Sequence, residues 1–264
     1  MLPSAISWIT ALKMHMLKSL LKSQPKLFLL ARSIKQRIHG LPEPEPELHL
    51  LPMLVDPTRI AVDVGAHSGL YSVVLGNIAT HVVAIEAIPE LANGLRRLLP
   101  NIEVIHAAAS DQPGRITLAI PEGMLGLSSV AHTDFNEGRA VRKVDVNAVT
   151  LDGVFENRAD SIGFIKIDVE GHELAVLQGA SRVIKEHRPV LLIEAEERHC
   201  AGTVSALFDY FSKLGYSGFF IDGVLRALAG FDPTIHQSLE GVDLAVLDRG
   251  EYSGRYVNNF IFIP

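Results

Sequence analysis

From residue 60 onward the chain alternates short β-branched apolar runs with segments of helical periodicity, and this alternation restricts the fold more than any other feature. Residues 60–64, 82–86 and 102–105 read as buried parallel strands, with helices at 69–79 and 89–99 between them. Strands of this kind need cover on both faces, so the expected class is α/β with a doubly wound, mainly parallel sheet. Residues 114–120 and 142–149 read as added β segments, followed by a strand at 162–168, a helix at 173–185 and a strand at 190–194. A helix near 203–214, β segments at 217–225 and 242–247, and a closing strand at 260–263 complete the pattern.

The 264 residues suffice for one large domain or two small ones, and 48% hydrophobic with 20% charged residues excludes disorder, collagen and coiled coil as descriptions of the whole. A single cysteine, Cys200, fits a reducing compartment, and the expected location is cytoplasmic. No apolar run approaches the roughly 20 residues of a bilayer span. The net charge of -6 divides unevenly: residues 1–40 hold seven Lys and Arg side chains and no acid, leaving 17 basic and 30 acidic residues for the remainder. A body this acidic lacks the basic face that releases counterions from a phosphate backbone, so nucleic acid is not an expected partner.

The basic segment places Trp8, Ile9, Leu12, Met16, Leu20, Leu27, Leu30, Ile34 and Ile38 at mostly helical spacing, with Pro25 breaking or kinking the pattern. Residues 1–40 therefore read as an arm of amphipathic helices. Peripheral contact with an anionic membrane and a lid packed on the main domain are both open to it, with a cleaved targeting peptide a weaker third reading. Residues 41–47, Leu-Pro-Glu-Pro-Glu-Pro-Glu, favour polyproline II and read as a stiff spacer before a domain at 48–264.

The first strand runs into Asp63-Val-Gly-Ala-His-Ser-Gly69, and its glycines permit a tight turn and close approach of a ligand at a strand's carboxyl end. About 20 residues later the second strand ends in Glu86, where an acid can accept hydrogen bonds from a ribose diol. The dinucleotide fingerprint G-x-G-x-x-G is absent, since position 67 is His and the glycines are four apart, and no P-loop is present. Asp63 puts a carboxylate where a pyrophosphate would be repelled and a cationic ligand tolerated. S-adenosylmethionine has that character: an adenosine, no phosphate, a sulfonium and an ammonium.

With these motifs the sequence resembles the class I S-adenosylmethionine-dependent methyltransferases, and within them the FkbM-type family, over about residues 58–264. The resemblance rests on the turn at 63–69, Glu86-Ala-Ile-Pro89, residues 107–114, Thr150-Leu-Asp152, residues 165–180, residues 188–194 and the closing 259–264. It implies a Rossmann-like sheet of seven main strands, the last antiparallel. It also implies cofactor contacts from Asp63, Gly65, Ala66, His67, Ser68, Gly69 and Glu86, with a common form of the motif having Asn at position 67. Ala108, Ala109, Ser110 and Asp111 would lie near the adenine, and Asp168 near the amino-acid part or the methyl group. Asp111 equally reads as a turn former with Pro113 and Gly114.

Asp168-Val-Glu-Gly-His-Glu173 concentrates ionisable groups where a strand meets a helix, and Glu194 ends the adjacent strand at the same edge. Glu173 reads as a helix-start acid. Asp168, Glu170, His172 and Glu194 are the catalytic candidates, His172 being favoured as base because its ordinary pKa matches neutrality, against the plain reading of a surface histidine at a helix start. Asp168 with Glu194 could share a divalent cation, but no third ligand is identifiable and no metal is assigned. The expected function is methyl transfer to a hydroxyl of a sugar, a glycan or glycolipid, or a natural product, with the loop near 121–141 shaping the acceptor site. The alternative is a non-catalytic, membrane-recruited binding or scaffold protein that retains the fold.

Overall fold

A computed structural model describes residues 45–121, 141–240 and 256–264. The basic segment, most of the spacer, the loop at 122–140 and the strand expected at 242–247 lie outside the described residues. In chain order the elements are α1 (Leu51–Leu54), β1 (Ile60–Val64), α2 (Leu70–Leu75), β2 (Val82–Glu86), α3 (Pro89–Leu98), β3 (Glu103–His106), β4 (Ala108–Ala109), β5 (Gly114–Pro121), β6 (Val141–Val149) and α4 (Leu151–Val154). There follow β7 (Ile162–Ile167), α5 (Glu173–Gln178), α6 (Ser181–His187), β8 (Val190–Glu194), α7 (Thr203–Lys213), β9 (Ser217–Asp222), β10 (Val224–Ala227), α8 (Pro233–His236) and β11 (Asn259–Ile263).

The main sheet has strand order β10-β9-β11-β8-β7-β1-β2-β3. Strands β3, β2, β1, β7 and β8 pair in parallel, and β11 enters antiparallel between β8 and β9. Among the described residues the sheet therefore has eight strands where the family resemblance implies seven; the addition is β10, which folds back on β9 as an antiparallel hairpin across Gly223 (φ +69°). The added β segments form a separate three-stranded sheet, with β6 between β4 and β5.

Alternation along the buried strands divides the core between two faces. One face presents Ala61, Phe164, Leu192 and Ile261 to α1 and α2, where Leu51, Tyr71 and Leu75 are buried. The other presents Val62, Val64, Ile165, Ile167, Ile193 and Phe260 to Val176, Leu177, Val183, Leu207 and Phe211 of α5, α6 and α7.

Two elements differ from the sequence reading. The helix expected at 173–185 is divided into α5 and α6, because Gly179 lies against the Ser110 backbone and a Cβ there would sit 2.0 Å from the Ser110 carbonyl oxygen. The Gly179 carbonyl accepts a hydrogen bond from the Asp152 N–H at 2.8 Å, and the Asp152 carboxylate in turn caps α6, accepting from the N–H groups of Arg182 and Val183 at 2.9 Å each. The end of the expected spacer also belongs to the body: Pro46–His49 is a 3-10 helix with Glu47 buried. Proline is compatible with a first helical turn, and the leucines that follow give this stretch an apolar side that the sheet face requires as cover.

Leu51, fully buried at the start of α1, is therefore expected to be a stability determinant while its neighbour Met53, 78% exposed, is not. Urea denaturation of Leu51→Ala should show a loss of about 2–5 kcal/mol. Met53→Ala should remain within about 0.5 kcal/mol of the parent. Equal and small losses for the two would show that α1 does not seal this face.

Candidate active site

Parallel strands β2, β1, β7 and β8 end at one edge of the sheet, and β1 is where the strand order reverses direction, with β2 on one side and β7 on the other. In open α/β sheets such a reversal leaves a crevice beyond the strand ends. The turn after β1 is held there by backbone contacts: the N–H groups of Gly65 and Ala66 donate to the Ile85 carbonyl at 2.9 and 3.2 Å. Gly65 (φ +78°) is left-handed, and a Cβ on it would fall 1.7 Å from the Asp168 carbonyl oxygen, so glycine alone lets the β1 and β7 ends approach this closely. Gly69 (φ +85°) begins α2, and His67 takes the left-handed region with φ +46° in spite of its side chain. His67 and Ser68 are exposed at the tip of the turn and Ala66 is buried beneath it.

Glu86, at the end of β2, anchors this turn. One carboxylate oxygen accepts the His67 N–H and the other the Ile88 N–H, each at 2.7 Å. Burial raises its pKa against the effect of those donors. Asp63 is turned inward, accepting the Ser72 hydroxyl at 2.5 Å, and burial pushes its pKa up to about 6 although Ser72 and Lys166 oppose the change. Among the described residues the cradle thus offers carboxylates and backbone and no cationic side chain for a phosphate.

Three further groups stand along the same edge. Ser110, which follows the buried pair Ala108 and Ala109 of β4, has its hydroxyl 2.9 Å from His172 Nε2 and 2.9 Å from Asp111 Oδ1. This contact joins the loop at 108–111 to the start of α5, and burial lowers the His172 pKa while Asp111 opposes. The second group centres on Lys166, which is fully buried, with Nζ 3.3 Å from Asn259 Oδ1, 3.5 Å from Glu194 Oε2 and 3.7 Å from Asp168 Oδ2. Glu194 also accepts the Asn258 amide at 2.6 Å, and burial followed by the nearby Asp168 charge pushes its pKa upward. The third group pairs Glu170, itself left-handed at φ +52°, with His199 Nε2 at 3.1 Å. Glu196 supports it, with Arg198 Nε at 2.5 Å and the Tyr256 hydroxyl at 2.6 Å; burial would raise its pKa, but hydrogen bonds from His199 and Arg198 hold its carboxyl down at about 2.

The structure thus brings Asp168 and Glu194 together, joins His172 to Ser110 and Asp111, and sends Glu170 to His199. Lys166, Glu196, Arg198, His199, Asn258 and Asn259 escape the sequence reading. For Lys166 a signal exists, a cation inside the otherwise apolar run of β7, whereas the others come from segments that only folding assembles. The gap between Asp168 and Glu194, considered above for a divalent cation, holds the Lys166 ammonium. Among the described residues no group of three or more His, Cys, Asp or Glu side chains could hold a metal ion.

Comparison with known proteins bears on this geometry. The profile of the Methyltransferase FkbM domain matches residues 63–217. Among solved structures, Methyltransferase FkbM from Methylobacillus flagellatus KT is similar in fold with a TM-score of 0.53 and 20% identity, over 85% of this chain and 49% of that one. This chain therefore spans about half the length of that protein. A Streptococcus mutans protein solved in complex with SAH aligns with a TM-score of 0.45 and 11% identity over 85% of this chain and 99% of that one. A precorrin-6y C5,15-methyltransferase from Geobacter metallireducens GS-15 aligns with a TM-score of 0.42 and 11% identity over 81% and 84% of the two chains. A search of curated proteins returned no match. The domain match begins at Asp63, the first residue of the glycine turn, and runs over more than half of the chain through β7 and β8, so the protein belongs to the FkbM methyltransferase family.

Proposed function

We propose that this protein is an S-adenosylmethionine-dependent methyltransferase that methylates a hydroxyl on a sugar, a glycan or glycolipid, or a natural product. The observation that carries the reading is the cradle at the strand reversal. Gly65 seats against the Asp168 backbone, and the His67 N–H is clamped on Glu86. The donor set fits this cofactor: Glu86 and Asp168 would repel a pyrophosphate and tolerate a sulfonium and an ammonium, while Asp63, expected from the sequence to face the ligand, is instead turned inward onto Ser72. When bound, S-adenosylmethionine supplies an electrophilic methyl group.

The chain's own residues divide the remaining work. Glu86 retains lone pairs for a ribose diol while its two backbone donors hold it in place. The loop from Ala108 to Asp111 borders the adenine, fixed through Ser110 to His172. Asp168, still 32% exposed, takes the cationic end of the cofactor. Sequence alone favours His172 as base, but its Nε2 is engaged with Ser110, and in this reading the acceptor proton goes to Glu194. That carboxyl is 25% exposed at the same edge, and burial followed by the nearby Asp168 charge raises its pKa, which makes its carboxylate a stronger proton acceptor than an ordinary one. Holding acceptor oxygen and methyl carbon in line provides much of the acceleration.

The basic segment at 1–40 supports a second part of the reading, peripheral attachment to an anionic membrane surface through its Lys, Arg and Trp side chains. Among the described residues no helix is long and apolar enough to cross a membrane.

Calorimetry with S-adenosylmethionine and a labelled-methyl assay over hydroxylated acceptors, with mass spectrometry of the product, test the catalytic reading. Absence of cofactor binding would favour a scaffold that only keeps the fold. Glu86→Ala should weaken cofactor binding by about 10- to 150-fold, the loss of hydrogen bonds to a charged acceptor. Unchanged affinity would remove the ribose assignment. Glu194→Gln should slow transfer by about 100-fold or more with cofactor affinity retained, whereas His172→Ala should keep most of its turnover. The reverse pattern would return the base role to His172. For the membrane reading, the full chain should sediment with anionic vesicles and a chain lacking residues 1–44 should not. Equal sedimentation of both forms excludes it.

A further inference from the structure

β7 lies between β1 and β8 in the main sheet, buried along its whole length, and its fifth residue is a lysine. Lys166 is 1% exposed. An isolated buried ammonium is expensive, and truncating its partners or itself leaves uncompensated charge, so its persistence in a core strand calls for a reason beyond packing. Its surroundings supply several acceptors at longer than ordinary hydrogen-bond distance: Asn259 at 3.3 Å, Glu194 at 3.5 Å and Asp168 at 3.7 Å, with the Tyr71 ring centroid 5.0 Å away. This geometry is that of a charge shared among partners rather than one tight pair.

The partners are not buried to the same degree. Asp168 and Glu194 reach the carboxyl edge and remain 32% and 25% exposed, while the ammonium beneath them is closed off from solvent. Lys166 therefore cannot meet a ligand directly, but it can decide what its neighbours present. Asp63 lies on the same sheet face, and Glu45, from the segment ahead of α1, adds to the negative surroundings that keep the lysine charged although burial alone would lower its pKa. Several carboxylates packed at one edge with no cation among them would not all remain ionised, since like charges at short range force one to take a proton.

We propose that Lys166 is a positioning residue for cofactor binding: its buried ammonium aims Asp168 from below at the ammonium of the cofactor's amino-acid end, with Glu194 sharing the same charge. The proposal rests on the methyltransferase reading. It assigns to the lysine a role through Asp168, without contact to the cofactor itself.

Two ligands separate this role from a structural one. S-adenosylhomocysteine carries the amino-acid end, and 5′-methylthioadenosine has the adenosine and thioether without it. By calorimetry Lys166→Gln should bind S-adenosylhomocysteine about 10- to 100-fold more weakly and 5′-methylthioadenosine within about 2-fold of the parent. Asp168→Asn should show the same selective loss, and the double variant should be no weaker than either single one, because both remove one coupled interaction. Asn259→Ala, which keeps the charge and removes the nearest acceptor of the ammonium, should give a smaller loss with the same selectivity, and it carries the comparison should Lys166→Gln fail to fold. Equal loss of both ligands, additive losses in the double variant, or full affinity in Lys166→Gln would each overturn the proposal. A parent protein that binds neither ligand would instead remove the methyltransferase reading, and the proposal with it.

Discussion

Parallel pairing of β1 with β2 on one side and β7 on the other is the constraint from which the rest of this molecule follows. Parallel neighbours end at the same edge, so whatever residue closes each strand is delivered to one place whatever its distance in sequence. Glu86 and Glu194 close their strands, Asp63 stands one residue before the end of β1, and Asp168 follows the end of β7. The close approach of β1 and β7 requires a glycine at position 65, since any side chain would collide with the Asp168 carbonyl.

Concentrating carboxylates at one edge carries an electrostatic cost, and the structure meets it locally rather than with a basic surface. Glu86 is neutralised in part by backbone donors, Asp63 by the Ser72 hydroxyl, and Glu196 by Arg198 and Tyr256. Lys166 serves the centre, between Asp168 and Glu194. The partition gives neighbouring acids different characters. Glu196 is held far below the ordinary carboxylate range, while burial pushes Asp63 and Glu194 above it. Carboxyl groups whose environments draw their pKa values apart can take different tasks in one site.

Much of the fold is legible in the residues. The apolar runs at 60–64, 82–86, 162–168 and 190–194 predict strands that the structure contains, the third ending one residue earlier at Ile167, because burial on both faces leaves a continuous apolar signature. The division at Gly179 is not legible, since the cause is contact with Ser110, distant in the chain. The spacer misleads for a related reason. Alternating proline describes the intrinsic preference of residues 41–47, whereas the docking of Pro46–His49 depends on the face that Leu51 and its neighbours cover. For the site, motif spacing marks Asp63, Glu86 and Asp168, and says nothing of what each side chain faces.

The sequence by itself determined the class of fold, the glycine turn, and the strand-end acids, because these depend on local periodicity and on backbone conformations that few residue types adopt. Tertiary structure alone decided the partners. It turned Asp63 to Ser72, tied His172 to Ser110, set Glu170 against His199, and enclosed Lys166 between Asp168, Glu194 and Asn259. Those pairings join residues as far as 93 positions apart, and the widest exists because β11 runs antiparallel to β8 and so begins, at Asn259, on the edge where the parallel strands finish.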